Sequence, residues 1–375
     1  MSKPVHICIA LMDDPVYKQS SIRVADALAR AGYKVTLIGR RLDAGEGAAS
    51  PAGTGEAPTP FRRVRFRTLF RRGKAFYAEM NLRIFFYLLF HRVDLVCAVN
   101  LDTILPCWAV SVLKGIPRVY DARELFTELA EVVARPRVQR VWLWVEMTMV
   151  PRFPQGYAVC QSIADELHTR YAVRYAVVRN MTVLRNVIPG ARPLDAPYLL
   201  YQGAVNYGRG LDVLIPAMQK IPLPLVICGT GNYIGPSRDL VKRYGLEQKV
   251  LFMGQLPPRD LVRYTYHAYA GINLVEREGL NQYFSLPNKL FDYIHAGIPQ
   301  VTMDYPEYRR VQDAYEVAVL IPDVTEDYVV EAVRRLCMDR DLYQRLHANC
   351  REARERFNWQ AEEPGLLRMY ADILK

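Results

Sequence analysis

The sequence has no apolar run near the roughly 20 residues that a helix needs to cross a bilayer, which excludes a transmembrane helix on this reading. Its first residues, MSKPVHICIA, pass directly into a strand-like run without an apolar signal core or a small-residue cleavage site. No secretory signal is therefore expected, and a cytoplasmic location is. The seven cysteines, Cys8, Cys97, Cys107, Cys160, Cys228, Cys337 and Cys350, are scattered and form no C-x-x-C pair. That excludes a disulfide frame or a cysteine zinc site and predicts reduced, mostly buried thiols. G-x-S-x-G, the P-loop pattern G-x-x-x-x-G-K-[ST] and the dinucleotide pattern G-x-G-x-x-G are all missing. His168, His267 and His347 have no second ligand at metal spacing, so no metal site is expected.

What is present can build a sizeable core. Of 375 residues, 51% are hydrophobic and 23% charged, a length and balance suited to two ordinary domains. The formal charge of +10 calls for an anionic partner. It is unevenly spread: residues 61–92, FRRVRFRTLFRRGKAFYAEMNLRIFFYLLFHR, hold nine Lys/Arg, one Glu and nine Phe/Tyr, supplying +8. Cations interleaved with aromatics suit an anionic membrane surface, where arginines meet headgroups and rings meet acyl chains. Single-stranded nucleic acid would also suit them, but no reading module accompanies the segment and nucleic acid is not an expected partner. The plainer reading is a basic strand and then a helix whose Leu82, Phe85, Phe86 and Leu89 face the core.

Strands and helices alternate along the chain as in a parallel α/β domain. Strands are expected at 5–11, 34–39, 94–99, 118–120 and 157–160, and Ser20 or Ser21 would cap a helix running to Ala31. Residues 43–60, DAGEGAASPAGTGEAPTP, read as a surface loop. Residues 181–197 hold three prolines without periodicity and read as a linker. Strands then recur at 198–201, 225–228, 250–252 and 271–275, and two such halves imply a cleft for a ligand.

Two segments could meet an anion. The turn Gly203 to Gly210 follows a strand and opens a helix, so its amides and Arg209 can face phosphate. By itself that is a common loop. In Phe284 to Pro299 the loop Ser285 to Asn288 precedes a helix starting near Lys289, which can neutralise a phosphate, while Asp292 can accept from a ribose hydroxyl pair. An ordinary loop and helix is an equal reading of the residues alone. His6 and His295 fall nearer the expected cleft than the other histidines.

SLPNKLFDYIHAGIPQV resembles the donor-binding signature of retaining GT-B glycosyltransferases of family 4, the group 1 type. YDARELFTEL is similar to their D-x-H-E segment, YQGAVNYGRGLDVLI to their phosphate turn, and KVLFMGQLPPRDLVRYTYHAYAGINL to the part that holds the nucleobase. The resemblance implies an α/β protein of two Rossmann-like domains facing a cleft: an acceptor-side domain at 1–180, a linker at 181–197 and a nucleotide-sugar domain at 198–355. Residues 356–375 would form a closing helix that crosses back. It implies Arg209 and Lys289 at the donor diphosphate and Glu124 as a third catalytic residue. Gly203, Gly208, Gly229, Gly254 and Leu256 fall on its donor-binding side, as do Ser285, Leu286, Pro287 and Asn288, and Asp292 falls where a glutamate binds ribose. Asp13, Asp14, Tyr17, Asp102, Asp121 and Arg123 fall on the acceptor side. A nucleotide-sugar co-substrate, a glycan or lipid-linked acceptor, and no metal or other cofactor are implied.

Three positions depart from that pattern. Phe284 stands where the first glutamate of E-x7-E grips the sugar, which leaves backbone amides or an acid such as Glu278 to read it. Ala204 replaces a second arginine, and Arg123 replaces the histidine of D-x-H-E, where it stays protonated. A non-catalytic nucleotide-sugar binder, or an epimerase, remains open on these residues.

Overall fold

The computed structural model describes residues 3–42 and 59–375, so most of the loop expected over 43–60 lies outside the described residues. The chain divides into two compact units, Met1–Arg179 with Glu362–Lys375, and Asn180–Ala361.

In the first unit β1 (His6–Ala10), α1 (Gln19–Arg30), β2 (Lys34–Arg40), β3 (Arg62–Phe66), α2 (Gly73–Phe90) and β4 (Leu95–Val99) come first. Next are α3 (Ile104–Lys114), β5 (Arg118–Ala122), α4 (Ala130–Val133), α5 (Pro136–Met149), β6 (Gln155–Ala158), α6 (Gln161–Tyr171) and β7 (Ala176–Val177). The strands form one sheet in the order β3-β2-β1-β4-β5-β6-β7, and every pair is parallel. Runs such as HICIA and LVCAV are buried throughout because helices cover both sheet faces. Right-handed crossovers put α1 on one face and α2, α3 and α5 on the other.

The second unit repeats the plan with β8 (Leu199–Gln202), α7 (Leu211–Ala217), β9 (Leu225–Cys228), α8 (Ile234–Arg243), β10 (Val250–Gly254) and α9 (Pro258–His267). It continues through β11 (Ala270–Asn273), α10 (Leu280–Tyr283), α11 (Asn288–Ala296), β12 (Gln300–Met303), α12 (Pro306–Ala314) and β13 (Ala318–Ile321). Helices α13 (Glu326–Met338), α14 (Arg340–Arg356) and α15 (Trp359–Ile373) end the chain. The sheet order β10-β9-β8-β11-β12-β13 is again wholly parallel. In each sheet the strand order reverses beside the first strand, at β1/β4 and at β8/β11. Ligands of open parallel sheets bind at the carboxyl ends of such strands.

Three expectations are corrected. In α2 the buried residues are Phe76, Met80, Ile84 and Leu88, while Leu82 and Phe86 are exposed. The helix is apolar on both sides, so sequence periodicity could not tell which side faces the sheet. Helix α1 begins at Gln19, and its N-cap Lys18 makes no side-chain cap, so neither serine plays that part. Residues 181–197 have no helix or strand, yet they pack as part of the second unit: Met181 is buried in its core, and Thr182 and Leu184 hydrogen-bond to Trp359 and Gln360. The cysteines are free, and all but the half-buried Cys337 are buried.

Candidate active site

In the second unit the carboxyl ends of β8 and β9 meet backbone to backbone. A Cβ on Gly229 would lie 1.8 Å from the Gly203 carbonyl oxygen, so no side chain fits there. Beyond them the turn bends through Gly208 and Gly210 at φ of 73° and 64°, a left-handed conformation that favours glycine. The turn is not an open anion seat. The Gly210 amide donates to Glu276 Oε1 at 2.9 Å, and Glu276 N donates to the Gly208 carbonyl at 3.0 Å. Glu278 lies against Gly208, where a Cβ would sit 2.8 Å from its carboxylate. Arg209 shares this pocket with Tyr207, Glu276 and Glu278.

Opposite that turn in the sequence, Pro287 leads into α11 at Asn288, close to the expected start. Lys289, in its first turn, reaches over the Tyr201 ring with Nζ 4.2 Å from the centroid, a cation–π contact at the end of β8. Its Nζ is shut off from solvent and makes no hydrogen bond. Burial, and then the positive charge of Arg209, push its ammonium down to about 7. Side-chain atoms of Gln282 and Asn288 are likewise buried without hydrogen bonds, and the buried Tyr308 hydroxyl lies against Ser285 and against Asn273 at the end of β11. Buried polar groups are ordinarily paired, so their gathering on these elements marks a place prepared for a polar ligand. Ser285, by contrast, gives its hydroxyl to the Gln282 carbonyl at 2.7 Å.

Asp292 lies one turn beyond Lys289. It accepts from Gln202 Nε2 at 2.9 Å, and Gln202 Oε1 accepts from the Thr265 hydroxyl at 2.7 Å. Sequence reading missed Gln202, Thr265, Tyr201 and Glu276. Only the adjacency of β8 to β11 and the helices above them brings these residues together. Leu256 is partly buried and packs against the core cluster that includes Tyr198, Leu200 and Tyr293, and Gly254 ends β10 at φ 68°, beside a register shift. His295 spends both ring nitrogens internally, on the Phe357 carbonyl and Thr182, and His6 does the same on the Arg92 carbonyl and Thr36. Both are packing histidines.

The first unit's strand ends are filled differently. Buried Asp14 takes Arg65 through two bonds, of 2.9 and 2.6 Å, together with the amides of Val16 and Leu42. Asp121 is fully buried, and its Oδ2 accepts from Arg123 and from Tyr157. Arg123 also bonds Ser20, so its guanidinium is committed within the unit. Asn100, at φ 60°, bridges the Arg123 amide and Glu124. Asp13 pairs with Lys18 at 2.6 Å, and Tyr17 is half-buried. Burial and the neighbouring charges of Asp13 and Glu124 push the Asp102 carboxyl up to about 8, and burial raises Glu124 as well. Among the described residues no group of His, Cys, Asp or Glu is arranged to hold a metal.

Comparison with known proteins agrees with this architecture. Residues 19–186 match the family model Glycosyltransferase Family 4, and residues 188–353 match Glycosyl transferases group 1, together accounting for most of the chain. The chain belongs to this group 1, family 4 type of GT-B glycosyltransferase and is a nucleotide-sugar-dependent enzyme. Similar solved structures include a sucrose-phosphate synthase from Thermosynechococcus elongatus, with a TM-score of 0.78 at 18% identity over 98% of this chain and 99% of that one. HepE of Anabaena, solved with UDP and glucose, has a TM-score of 0.75 at 13% identity over 98% of this chain and 100% of its own. WaaG, a glycosyltransferase involved in lipopolysaccharide biosynthesis, has a TM-score of 0.72 at 16% identity over 97% of this chain and 99% of its own. At these identities the structures speak for the fold alone. No curated protein sequence matches the chain.

Proposed function

We propose that the protein is a retaining glycosyltransferase that moves a hexose-type sugar from a nucleotide-sugar donor to a hydroxyl of a glycan or lipid-linked glycan. The observation that carries this reading is Lys289: a buried ammonium without a hydrogen-bond partner, close enough to Arg209 to feel its charge. Two cations held together at a strand mouth repel each other until an anion joins them, and a donor diphosphate is that anion. As the bond from the sugar C1 to the β-phosphate oxygen breaks, negative charge grows on the phosphate, and these cations stabilise it. The phosphate then takes the acceptor hydroxyl's proton while the acceptor oxygen bonds to C1 on the same face. Retention rests on the resemblance to retaining members.

Asp292, oriented by Gln202, accepts from the ribose hydroxyls. Glu278, beside Gly208 in the Arg209 pocket, reads the sugar in place of the glutamate that Phe284 replaces. The acceptor reading draws support from WaaG, whose own role lies in lipopolysaccharide biosynthesis. A cytoplasmic location is part of the same reading and agrees with seven free cysteines.

The test is a panel of UDP-, GDP- and ADP-sugars followed by turnover with the one that binds. Lys289→Ala is expected to lower turnover by on the order of 10²-fold or more, as for loss of one preorganised donor. Glu278→Gln is expected to weaken binding of the nucleotide sugar more than that of the free nucleotide. Near-normal turnover by Lys289→Ala would sink the assignment.

A further inference from the structure

Among the described residues sixteen large apolar side chains stand exposed, and twelve of them lie between Leu69 and Met147. Most sit on three helices of one layer. Helix α2 packs on α3 and α3 on α5, and Tyr77 of α2 meets Trp142 of α5 edge to face at 5.6 Å. Helix α2 buries one apolar face and turns Leu82, Phe86 and Phe90 outward, with the last two rings stacked at 6.1 Å. Helix α3 exposes Leu105, Val112 and Leu113 behind its buried Ile104, Cys107 and Val110. Helix α5 exposes Val141, Trp144 and Met147 at three-residue spacing, which is one stripe. A helix apolar all round is ordinarily buried, and an exposed apolar surface shared by three helices marks a docking site.

The chain itself offers little to cover it. Residues 43–58, outside the described region, consist only of Ala, Gly, Pro, Ser, Thr, Asp and Glu, so they supply no large apolar partner. The rim of the plate is cationic. Arg67, Arg71, Arg72 and Lys74 are exposed before or at the start of α2, Arg92 follows it, and Arg137 and Arg140 continue the α5 stripe. Glu79, the one acid of residues 61–92, is spent on the amides of Leu69 and Phe70 and on Arg83. Arg65 is committed to Asp14 and takes no part. A second copy of this chain packed through the same face would bring like-charged arginines together across a two-fold axis.

We propose that the outer face of α2, α3 and α5 seats on an anionic lipid bilayer. Its Leu, Phe, Trp and Met side chains enter the boundary between headgroups and acyl chains, and its arginines meet headgroup phosphates. The inference deepens the proposed function and rests on it for its purpose, which is to bring the enzyme to a lipid-linked acceptor.

Flotation of the full chain with equimolar phosphatidylcholine and phosphatidylglycerol vesicles tests it, against vesicles of phosphatidylcholine alone. The wild type is expected to float with the anionic vesicles only. The combined Leu113→Ser, Trp144→Ser and Met147→Ser variant lies wholly outside the basic segment and is expected to bind on the order of tenfold less or weaker still. Its thermal stabilisation by UDP, GDP or ADP should match the wild type, which shows that it folds. Floating of the variant like the wild type overturns the apolar plate and leaves charge alone. A wild type that fails to float, and sediments as a dimer which the variant breaks, overturns the bilayer in favour of self-association. If the expected flotation pattern holds while no nucleotide sugar is turned over, the surface stands and the glycosyl-transfer reading fails.

Discussion

The two units share a sheet plan, yet their strand mouths treat buried charge differently. In the first unit the charged groups are paired: Asp14 with Arg65, Asp121 with Arg123 and Tyr157, Asp13 with Lys18. In the second, Lys289 Nζ and side-chain atoms of Asn288 and Gln282 are buried without hydrogen bonds, while Asp292 and Glu276 are tethered. Leaving buried donors and acceptors unmade costs free energy in the empty protein, of the order of 1 to 3 kcal/mol for each group. The second mouth therefore holds a buried cation that a ligand would complete, while in the first the charges are matched within the unit and only single atoms such as Asp121 Oδ1 lack a hydrogen bond.

That contrast can be broken at Asp14. Asp14→Asn strips the charge that Arg65 faces in the interior and is expected to destabilise the protein by about 3 kcal/mol in urea unfolding. Nucleotide affinity should not change. Native stability with lost acceptor use would instead make Asp14 a ligand contact and erase the contrast.

A smaller effect is expected at Lys289. Its ammonium titrates near 7 in the empty protein, and a bound diphosphate raises it, so nucleotide affinity is full below pH 7. Above pH 7 affinity should fall by up to about tenfold per pH unit until the bound-state value is reached. Lys289→Arg, charged throughout, should flatten that profile in calorimetric titrations. In the empty protein the sign reverses: the unfolded chain holds this proton up to about pH 10, so stability should rise with pH between 7 and 10.

At Asp102 the slope runs the other way. The folded protein keeps this carboxyl protonated up to about 8, above its ordinary value of 3.8, so stability should fall as pH rises between those values. Asp102→Asn removes that slope; an unchanged slope in thermal melts over the same range would remove Asp102 from the account.

Much of the fold was legible in the sequence, and the reasons are local. Short runs such as HICIA, LVCAV and LVIC, apolar but for His6 and rich in Val and Ile, read as strands covered on both faces, and they were found where expected. The loop before Lys289 was legible because proline just ahead of a helix start is a local signal. The buried side of α2 was not, since LRIFFYLLF is apolar in every direction. Residues 300–356, three helices and two strands without a glycine between them, carried no signal that assigned them one by one.

The site was legible in part. Lys289, Arg209 and Asp292 could be named from one segment and one turn, but their state could not. Periodicity and motif spacing reach over a few residues, whereas Asp121 finds Tyr157 36 positions away and Asp292 finds Gln202 90 positions away. The sequence by itself determined that there are two parallel α/β halves, that the excess charge lies in residues 61–92, and that a cation opens α11. Tertiary structure alone decided which charges are spent inside and which stay unpaired. That outcome depends on strand order, which brings distant residues within hydrogen-bonding distance, and on burial, which makes every polar group left without a partner costly.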